Sequence, residues 1–247
     1  MVVLQGRNVP PGRLLRAIQS LQAQRRRDWG AVLLNDGSSP MFTEFVRVLT
    51  PSLGPNWTVI HTPIRRGGMA NLVWAIRHVC DNPKSVIVTL DADDALIGCD
   101  VLDQLHAVYQ DGADLTVGSM LRTDKDITYQ VHFDNARFRR GGGCVWQHLR
   151  SFRKELFDRI PDTALQLDGK FIDVAQDWAY MLAMVELAIK PMVIQKRLYL
   201  YEPSGEGKGA QTAMREAIIG RIVAMPPLFK STGDPAQHEE TSRCVLR

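Results

Sequence analysis

The sequence predicts an α/β fold with a mostly parallel central sheet and helices on both faces, and three observations support it. Short apolar runs alternate with helical periodicity through the first half of the chain. These runs are continuously apolar, as in strands covered on both faces. Two of them end abruptly in polar clusters, at 35–39 and 91–94. The 247 residues are 45% hydrophobic and 23% charged, a composition that can bury a core and is not typical of disorder.

The elements of the first half follow from local periodicity. A proline pair at 10–11 opens a pattern of apolar residues spaced by three and four, which predicts a helix to residue 21. Turn-forming residues at 35–39 end the second strand. The predicted strands are 2–4, 31–34, 57–60, 85–90 and 115–118, and the further helices are 40–49 and 70–79.

The second half is less regular, but it continues the same domain. It predicts helices at 149–160, 174–188 and 212–223, a strand at 192–201 and a glycine-rich loop at 204–209. Proline, glycine and charged residues dominate from residue 226, which predicts a poorly ordered tail over 226–247. We therefore expect one domain over 1–225, with halves at 1–118 and 119–225.

Composition also narrows the binding partners and the cellular compartment that we expect. A net charge of +3 is too small to indicate nucleic-acid binding. The four cysteines are far apart and include no C-x-x-C pair, which favours free thiols in a reducing compartment. We expect no signal peptide, because the first apolar run is far shorter than one requires, and charges and a proline interrupt the best candidate for a membrane segment, 178–194. We expect a cytoplasmic protein that associates peripherally with the membrane face only through partners.

Three carboxylates, Asp91, Asp93 and Asp94, follow the clearest strand of the sequence. Ligands bind at the carboxyl ends of strands in parallel sheets. Like charges this close raise one another's pKa unless a cation compensates, and hard oxygen ligands select Mg²⁺ or Mn²⁺. Such a metal also leaves room for a diphosphate. The alternative is an exposed acidic turn that caps the next helix.

The order of these motifs resembles that of family 2 glycosyltransferases over about residues 2–205. Residues 2–8 lie where that family has its first strand, and 17–24 are similar to its Ser-Leu-x-x-Gln helix end. Residues 29–38 resemble its strand ending in Asp-Asp-Gly-Ser, and 67–71 resemble its glycine-rich turn. Residues 90–94 are similar to its DXD signature, and 176–178 to its Glu-Asp pair before a helix. The segments that carry the resemblance are 2–8, 17–24, 29–38, 67–71, 90–94 and 176–178.

The resemblance implies the GT-A fold, with a nucleotide-sugar-binding half at 1–118 and an acceptor-binding half at 119–225. It implies that Asp36 accepts the N3–H of a uridine-type base and that Asn35 replaces the family's first Asp. Asp93, with Asp91, would ligate Mn²⁺ or Mg²⁺ on the diphosphate. A solvated basic turn is the alternative for Arg65 and Arg66, and an ordinary connector the alternative for Lys208. The implied donor-binding residues are Gly6, Asn35, Asp36, Arg65, Arg66, Asp91, Asp94 and Lys208.

The same resemblance implies a catalytic base. Asp177 would take the proton of the acceptor hydroxyl. The alternative is an N-cap for the helix that follows. Gln176 replaces the family's Glu on the acceptor side, and Trp178 either stacks on the acceptor sugar or belongs to the core. The six histidines show no ligand spacing and receive no role.

The function implied is an inverting transfer from a UDP-sugar to a hydroxyl of a growing glycan or lipid-linked acceptor. Two alternatives stay open. One is a catalytically silent subunit that binds the nucleotide sugar, which the departures at Asn35 and Gln176 allow. The other is a haloacid-dehalogenase-type phosphatase, because a buried strand ending in Asp-x-Asp also suits a carboxylate nucleophile. Slow metal-dependent hydrolysis of a donor would distinguish an active transferase from a silent binder.

Overall fold

The structure is a computed structural model that describes residues 1–126, 146–203 and 210–228. In chain order its strands are β1 (Val2–Gly6), β2 (Ala31–Asp36), β3 (Trp57–Thr62), β4 (Val86–Asp91), β5 (Ala95–Leu96), β6 (Leu115–Arg122), β7 (Arg150–Arg153), β8 (Gln166–Leu167), β9 (Lys170–Phe171) and β10 (Pro191–Tyr201). Its α-helices are α1 (Pro11–Gln22), α2 (Pro40–Leu49), α3 (Gly68–His78), α4 (Val101–Gln110), α5 (Lys154–Asp158), α6 (Gln176–Leu187) and α7 (Ala210–Val223).

Eight strands form one sheet in the order β3-β2-β1-β4-β7-β6-β10-β5, and β8 and β9 pair separately. Neighbouring strands from β3 to β4 are parallel, as are β6 and β10. Strand β7 is antiparallel to both of its neighbours, β4 and β6. The carboxyl ends of the parallel strands therefore share an edge with the amino end of β7, and this edge holds the candidate site.

The sheet is covered on both faces, because alternate residues of each strand point to opposite sides. Val3 packs in one cluster with α3 and α6, whereas Val2 and Leu4 pack in another with α1 and α4. Helix α1 contributes Leu14, Ala17, Ile18 and Leu21, the stripe expected from its periodicity. These two buried layers confirm the predicted fold class.

Helix α6 holds the most apolar segment of the chain. Every residue from Trp178 to Glu186 is buried, so the helix lies inside the domain rather than on its surface. Across the described parts of the chain, no helix combines the length and the apolar character that crossing a membrane requires.

The fold corrects one predicted helix and adds two elements that were not predicted. The helix predicted at 149–160 is instead strand β7 followed by the short helix α5. Burial between β4 and β6 overrides the local helical pattern there. Helix α4 and strand β5, where no element was predicted, complete the chain between 95 and 110.

The fold also bears on two predicted boundaries, the start of the tail at residue 226 and the division into two halves. The chain still packs beyond the predicted tail start at 226, because the Leu228 N–H donates to Glu186 Oε2 at 2.8 Å. Residues 229–247 lie outside the described residues. The predicted boundary between halves at 118/119 falls inside β6, so one strand belongs to both.

Candidate active site

The acidic turn, residues 91–94, connects β4 to β5 at the carboxyl edge of the sheet. Asp94 is 1% exposed and accepts hydrogen bonds from the Tyr199 hydroxyl and the Glu202 N–H, both at 2.6 Å. The Tyr199 oxygen accepts the Asp91 N–H at 3.1 Å. One buried tyrosine therefore ties the two ends of the turn together.

Both terminal carboxyls of the acidic turn hold protons unusually well. Burial, with the neighbouring carboxylates of Asp93 and Asp177, raises the pKa of Asp91 to about 6, against the lowering effect of Arg150. Burial, with the charge of Asp91, raises the pKa of Asp94 to about 8. A divalent cation bound here would stabilise the charged carboxylates and relieve the repulsion between them.

His148, just before β7, reaches the same place. Its Nε2 lies 3.7 Å from Asp91 Oδ2, and its ring stacks on Tyr199 with centroids 4.3 Å apart. Burial, with the charge of Arg150, holds the pKa of His148 well below its usual value. The imidazole is therefore neutral, which is the form that binds metals.

Asp91, Asp94 and His148 offer ligand atoms that all lie within 4.8 Å of one another. Two carboxylates and a neutral imidazole suit a divalent cation that also accepts substrate oxygens. His148 Nδ1 is buried without a hydrogen-bond partner among the described residues. The three side chains therefore fit the metal that the sequence predicts.

This cluster differs from the predicted ligand pair, Asp91 and Asp93. The structure brings Asp94 and His148 to Asp91, whereas the backbone carbonyl of Asp93 accepts a hydrogen bond from Arg16 Nη2 at 2.7 Å. Burial raises the pKa of the Asp93 carboxyl, which remains a predicted ligand. His148 could not be predicted as a ligand, because no local spacing links it to the acidic turn.

A pocket of about 430 Å³ opens beside this cluster. Asp91, His148, Gln176 and Asp177 all line this pocket. Trp178, predicted to meet the acceptor, is 5% exposed and packs edge-on against Trp146, with centroids 6.1 Å apart. Its position favours the core alternative.

Asp177 lies in the first turn of α6, whose N-cap position is Ala175, so the N-cap alternative is not what the structure shows. Its Oδ2 accepts a hydrogen bond from Arg150 Nη2 at 3.3 Å. Its Oδ1 lies 3.8 Å from Arg215 Nη2. The predicted catalytic base, Asp177, therefore lines the same pocket as Asp91 of the acidic turn.

Asp36 and Asn35, the residues at the end of β2 that were predicted to bind the nucleobase, form hydrogen bonds with other residues of the protein. Asp36 accepts the backbone N–H groups of Arg66 at 2.7 Å and Gly67 at 2.9 Å, and the Thr62 hydroxyl at 2.9 Å. Although burial raises the pKa of Asp36, these hydrogen bonds, led by that of Arg66, bring it below its usual value. Asn35 is 3% exposed, and its Nδ2 contacts Thr43 and His61.

The other predicted donor residues are spread around the same edge. Arg65 pairs with Asp173, which also accepts the Gly68 N–H at 2.7 Å. A Cβ at Gly6 would lie 2.7 Å from Ala92 Cβ, so this glycine lets β1 end against the acidic turn. Lys208 lies outside the described residues.

Solved structures of similar fold include S. aureus TarS 1–349 in complex with UDP, with a TM-score of 0.65 and 15% identity over 90% of this chain and 63% of that chain. The same protein in complex with UDP-GlcNAc gives 0.64 and 16% over 86% and 60%. Mannosyltransferase PcManGT from Pyrobaculum calidifontis, in complex with GDP-Man and Mn²⁺, gives 0.57 and 18% over 87% and 60%. The chain thus spans less than two thirds of each of these chains, and the likeness shows the GT-A fold.

The family comparison is more specific. No curated protein matches the sequence. The model of glycosyl transferase family 2, however, matches residues 5–172, which include the β2 end, the glycine-rich turn, the acidic turn and His148. On this match, over more than half of its length, the chain belongs to glycosyl transferase family 2.

Proposed function

We propose that this protein is an inverting glycosyltransferase that moves a sugar from a nucleoside diphosphate sugar to a hydroxyl acceptor. The observation that carries the proposal is a single pocket lined by both Asp91, with its neighbour His148, and Asp177. The first two residues suit a metal-bound diphosphate, and the third suits a base. An inverting displacement needs these groups on opposite sides of one reacting carbon.

For the donor we propose a UDP-sugar with Mg²⁺ or Mn²⁺. The TarS structures contain UDP and UDP-GlcNAc, and the PcManGT structure contains GDP-Man and Mn²⁺. Asp91, Asp94 and His148 would hold the metal, and Asp93 stays a further candidate ligand. When bound, the metal would stabilise the charge that develops on the departing diphosphate.

Asp36 is less available to a uracil ring than the resemblance implied. It already accepts hydrogen bonds from Thr62, Arg66 and Gly67, the Asn71 side chain is a further hydrogen-bond partner, and a carboxylate offers about four acceptor sites. A base contact at Asp36 stays part of the proposal, and the carboxylate also shapes the turn that would face the base.

The chain's own residues would act on the acceptor. Its hydroxyl oxygen forms a bond to the anomeric carbon as that carbon's bond to the diphosphate oxygen breaks, and the diphosphate leaves with the electron pair. The hydroxyl proton passes to Asp177. Asp177 Oδ1 lies 3.8 Å from Arg215 Nη2, which is an ion-pair distance rather than a hydrogen bond. No hydrogen bond to Oδ1 is found among the described residues. Oδ1 is therefore the oxygen that would receive the proton.

The acceptor that we propose is a growing glycan or a lipid-linked hydroxyl, met in the cytoplasm or at the membrane face through a partner, without nucleic acid. Among the described residues, Cys80 and Cys99 are free thiols, and free thiols are typical of proteins in reducing compartments. The phosphatase alternative is set aside, because the family match includes the acidic turn on which that alternative depended.

Titration calorimetry with UDP and GDP, with and without Mn²⁺, tests the donor proposal. We expect metal-dependent binding that Asp91→Asn and Asp94→Asn abolish, and Asp93→Ala tests whether the third acid is also needed. If neither UDP nor GDP binds in the presence of Mn²⁺ or of Mg²⁺, the proposed donor site is refuted. Metal-dependent binding by wild type without any hydrolysis or transfer of UDP-GlcNAc or GDP-mannose would instead support the silent subunit.

A further inference from the structure

Arg150 is a buried cation at the carboxyl edge of the sheet, in the pocket that Asp91 and Asp177 also line. It is the first residue of β7 and lies opposite Thr89 of β4, two residues before Asp91. Because β7 is antiparallel to its neighbours, its first residue lies at this edge. Arg150 is 8% exposed and lines the pocket.

The guanidinium of Arg150 is held from three directions. Its Nε donates to the Trp146 carbonyl at 2.8 Å, its Nη2 to Asp177 Oδ2 at 3.3 Å, and its Nη1 to the Tyr180 hydroxyl at 3.5 Å. Asp177 and Tyr180 are three residues apart on α6 and so lie on one face of that helix. The planar fork of an arginine matches such an arrangement, whereas a lysine ammonium would not.

Charge gives the same result. A guanidinium is costly to bury unless carboxylates pair with it. Asp177 supplies such a carboxylate, with its Oδ2 3.3 Å from Arg150 Nη2. Because an arginine guanidinium is not deprotonated in proteins, Arg150 can donate hydrogen bonds but take no proton from a substrate.

We propose that Arg150 is the positioning residue that fixes Asp177 in the pocket, with Oδ2 hydrogen-bonded and with Oδ1, which has only the more distant Arg215 as an ion-pair partner, directed to the acceptor hydroxyl. The inference rests on the proposed function, in which Asp177 is the base. Arg150 holds Oδ2 from the buried side, while Oδ1 faces Arg215, whose side chain is 41% exposed. Without Arg150, the carboxylate is free to rotate away from the attacking oxygen.

The kinetic test compares Arg150→Gln and Arg150→Lys with wild type in metal-supported hydrolysis of UDP-GlcNAc. We expect kcat of Arg150→Gln to fall by about 100-fold, the scale that a small misplacement of a reacting group costs. The affinity for UDP should not change, because Asp177 does not hold the donor. Arg150→Lys should recover part of the loss, and millimolar guanidinium should restore activity to Arg150→Ala.

Arg153→Gln is the matched control. It lies on the same strand, but its guanidinium contacts the carbonyls of Lys84 and Tyr109, away from the pocket. It should keep wild-type kcat. Equal losses of kcat in Arg150→Gln and Arg153→Gln, or a loss of UDP affinity matching the loss of kcat, would show that Arg150 only supports the fold.

A crystal structure of Arg150→Gln separates this inference from the proposed function. The inference expects the Asp177 carboxylate to leave its position, whether or not the wild-type protein turns over a nucleotide sugar. An unmoved Asp177 overturns the positioning role even in an active enzyme. Failure of wild type to bind UDP or GDP, with Asp177 displaced in the variant, refutes the proposed function and leaves the contact standing.

Discussion

Tyr199 lies between the two ends of the acidic turn, where its hydroxyl donates to Asp94 and accepts from the Asp91 N–H. Outer partners of this kind orient metal ligands. Tyr199→Phe keeps the ring that stacks on His148 but leaves Asp94 without that donor. We expect the affinity for Mn²⁺ to fall by about 10- to 100-fold, measured by calorimetry in the absence of nucleotide.

Tyr109→Phe is the control for this experiment. Tyr109 is also buried, and its hydroxyl bonds to Ser151 at 3.0 Å rather than to the turn. Its loss should lower stability without changing the affinity for Mn²⁺. Equal Mn²⁺ affinities in Tyr199→Phe and wild type would count against the proposed ligand cluster.

Asp36 shows how a predicted binding residue can also support the fold. Its pKa lies below the usual value, so the stability it contributes is present above the unfolded pKa of about 3.9 and is lost as pH falls through the folded value. Asp36→Asn turns an acceptor toward the N–H groups of Arg66 and Gly67 into a partial donor. We expect a loss of about 1–3 kcal/mol in the free energy of unfolding at neutral pH.

Urea unfolding at pH values from about 2 to 7 would check this, because the folded pKa of Asp36 lies below the unfolded value of about 3.9. The difference between wild type and Asp36→Asn should shrink toward acid, because wild type then loses the same charge. A constant difference across that range would contradict the assignment of the hydrogen bonds to an ionised carboxylate.

At this residue scale, the sequence predicted the site residues that belong to local motifs. Asp91, Asp94 and Asp177 each follow or begin an element in a recognisable pattern, and the structure brings them to one pocket or beside it. His148 and Arg150 could not be found in this way. They reach the site through an antiparallel strand whose position depends on contacts with β4 and β6.

Among the elements, β7 decides most of the site geometry, and Gly118 of β6 lets the chain before β7 come close. A Cβ at position 118 would lie 2.6 Å from the Leu149 backbone nitrogen and 3.1 Å from the His148 carbonyl oxygen. Backbone atoms cannot move aside as a flexible side chain can. Gly118→Ala should therefore lower the free energy of unfolding by about 1–3 kcal/mol and weaken Mn²⁺ binding by displacing His148.

Gly220→Ala offers a matched comparison within α7. A Cβ there meets nothing within 4 Å, so the change should raise the free energy of unfolding by about 0.5–1 kcal/mol through helix propensity. Urea unfolding and Mn²⁺ calorimetry on both variants would measure the two effects. Gly118→Ala with wild-type stability and metal affinity would mean that β7 is not held where the structure places it.

Local periodicity predicted the parallel strands well and β7 poorly, for a physical reason. Strands β2 and β4 are continuous apolar runs whose burial is visible in their own residues. Strand β7 carries Arg150, Ser151 and Arg153 and is buried by its neighbours in the sheet. Its conformation is thus a property of the whole sheet rather than of its sequence.

Over the whole molecule, one sheet joins the predicted nucleotide and acceptor halves and brings the acids at its edge close together. Burial is the main cause that raises the pKa of Asp91 to about 6 and of Asp94 to about 8, above the unfolded value of about 3.9. Between these values the folded state binds more protons than the unfolded state. The contribution of these two carboxyls to the free energy of unfolding of the metal-free protein should therefore decrease as pH rises from about 4 to 8, whereas His148, whose pKa is lowered, contributes in the opposite direction.

A metal should reverse this trend, because it binds the deprotonated ligands and releases their protons. We expect the stability of the metal-free protein, measured as the difference from Asp94→Asn, to decrease between pH 5 and 8, and added Mg²⁺ to restore stability more at pH 8 than at pH 5. Urea unfolding with EDTA or with Mg²⁺ across this range is the measurement. Asp94→Asn, a neutral side chain of similar shape, should flatten both dependences. If its profile matched that of wild type, the sensitivity to pH and metal would arise elsewhere, and the acidic turn would not be the metal site.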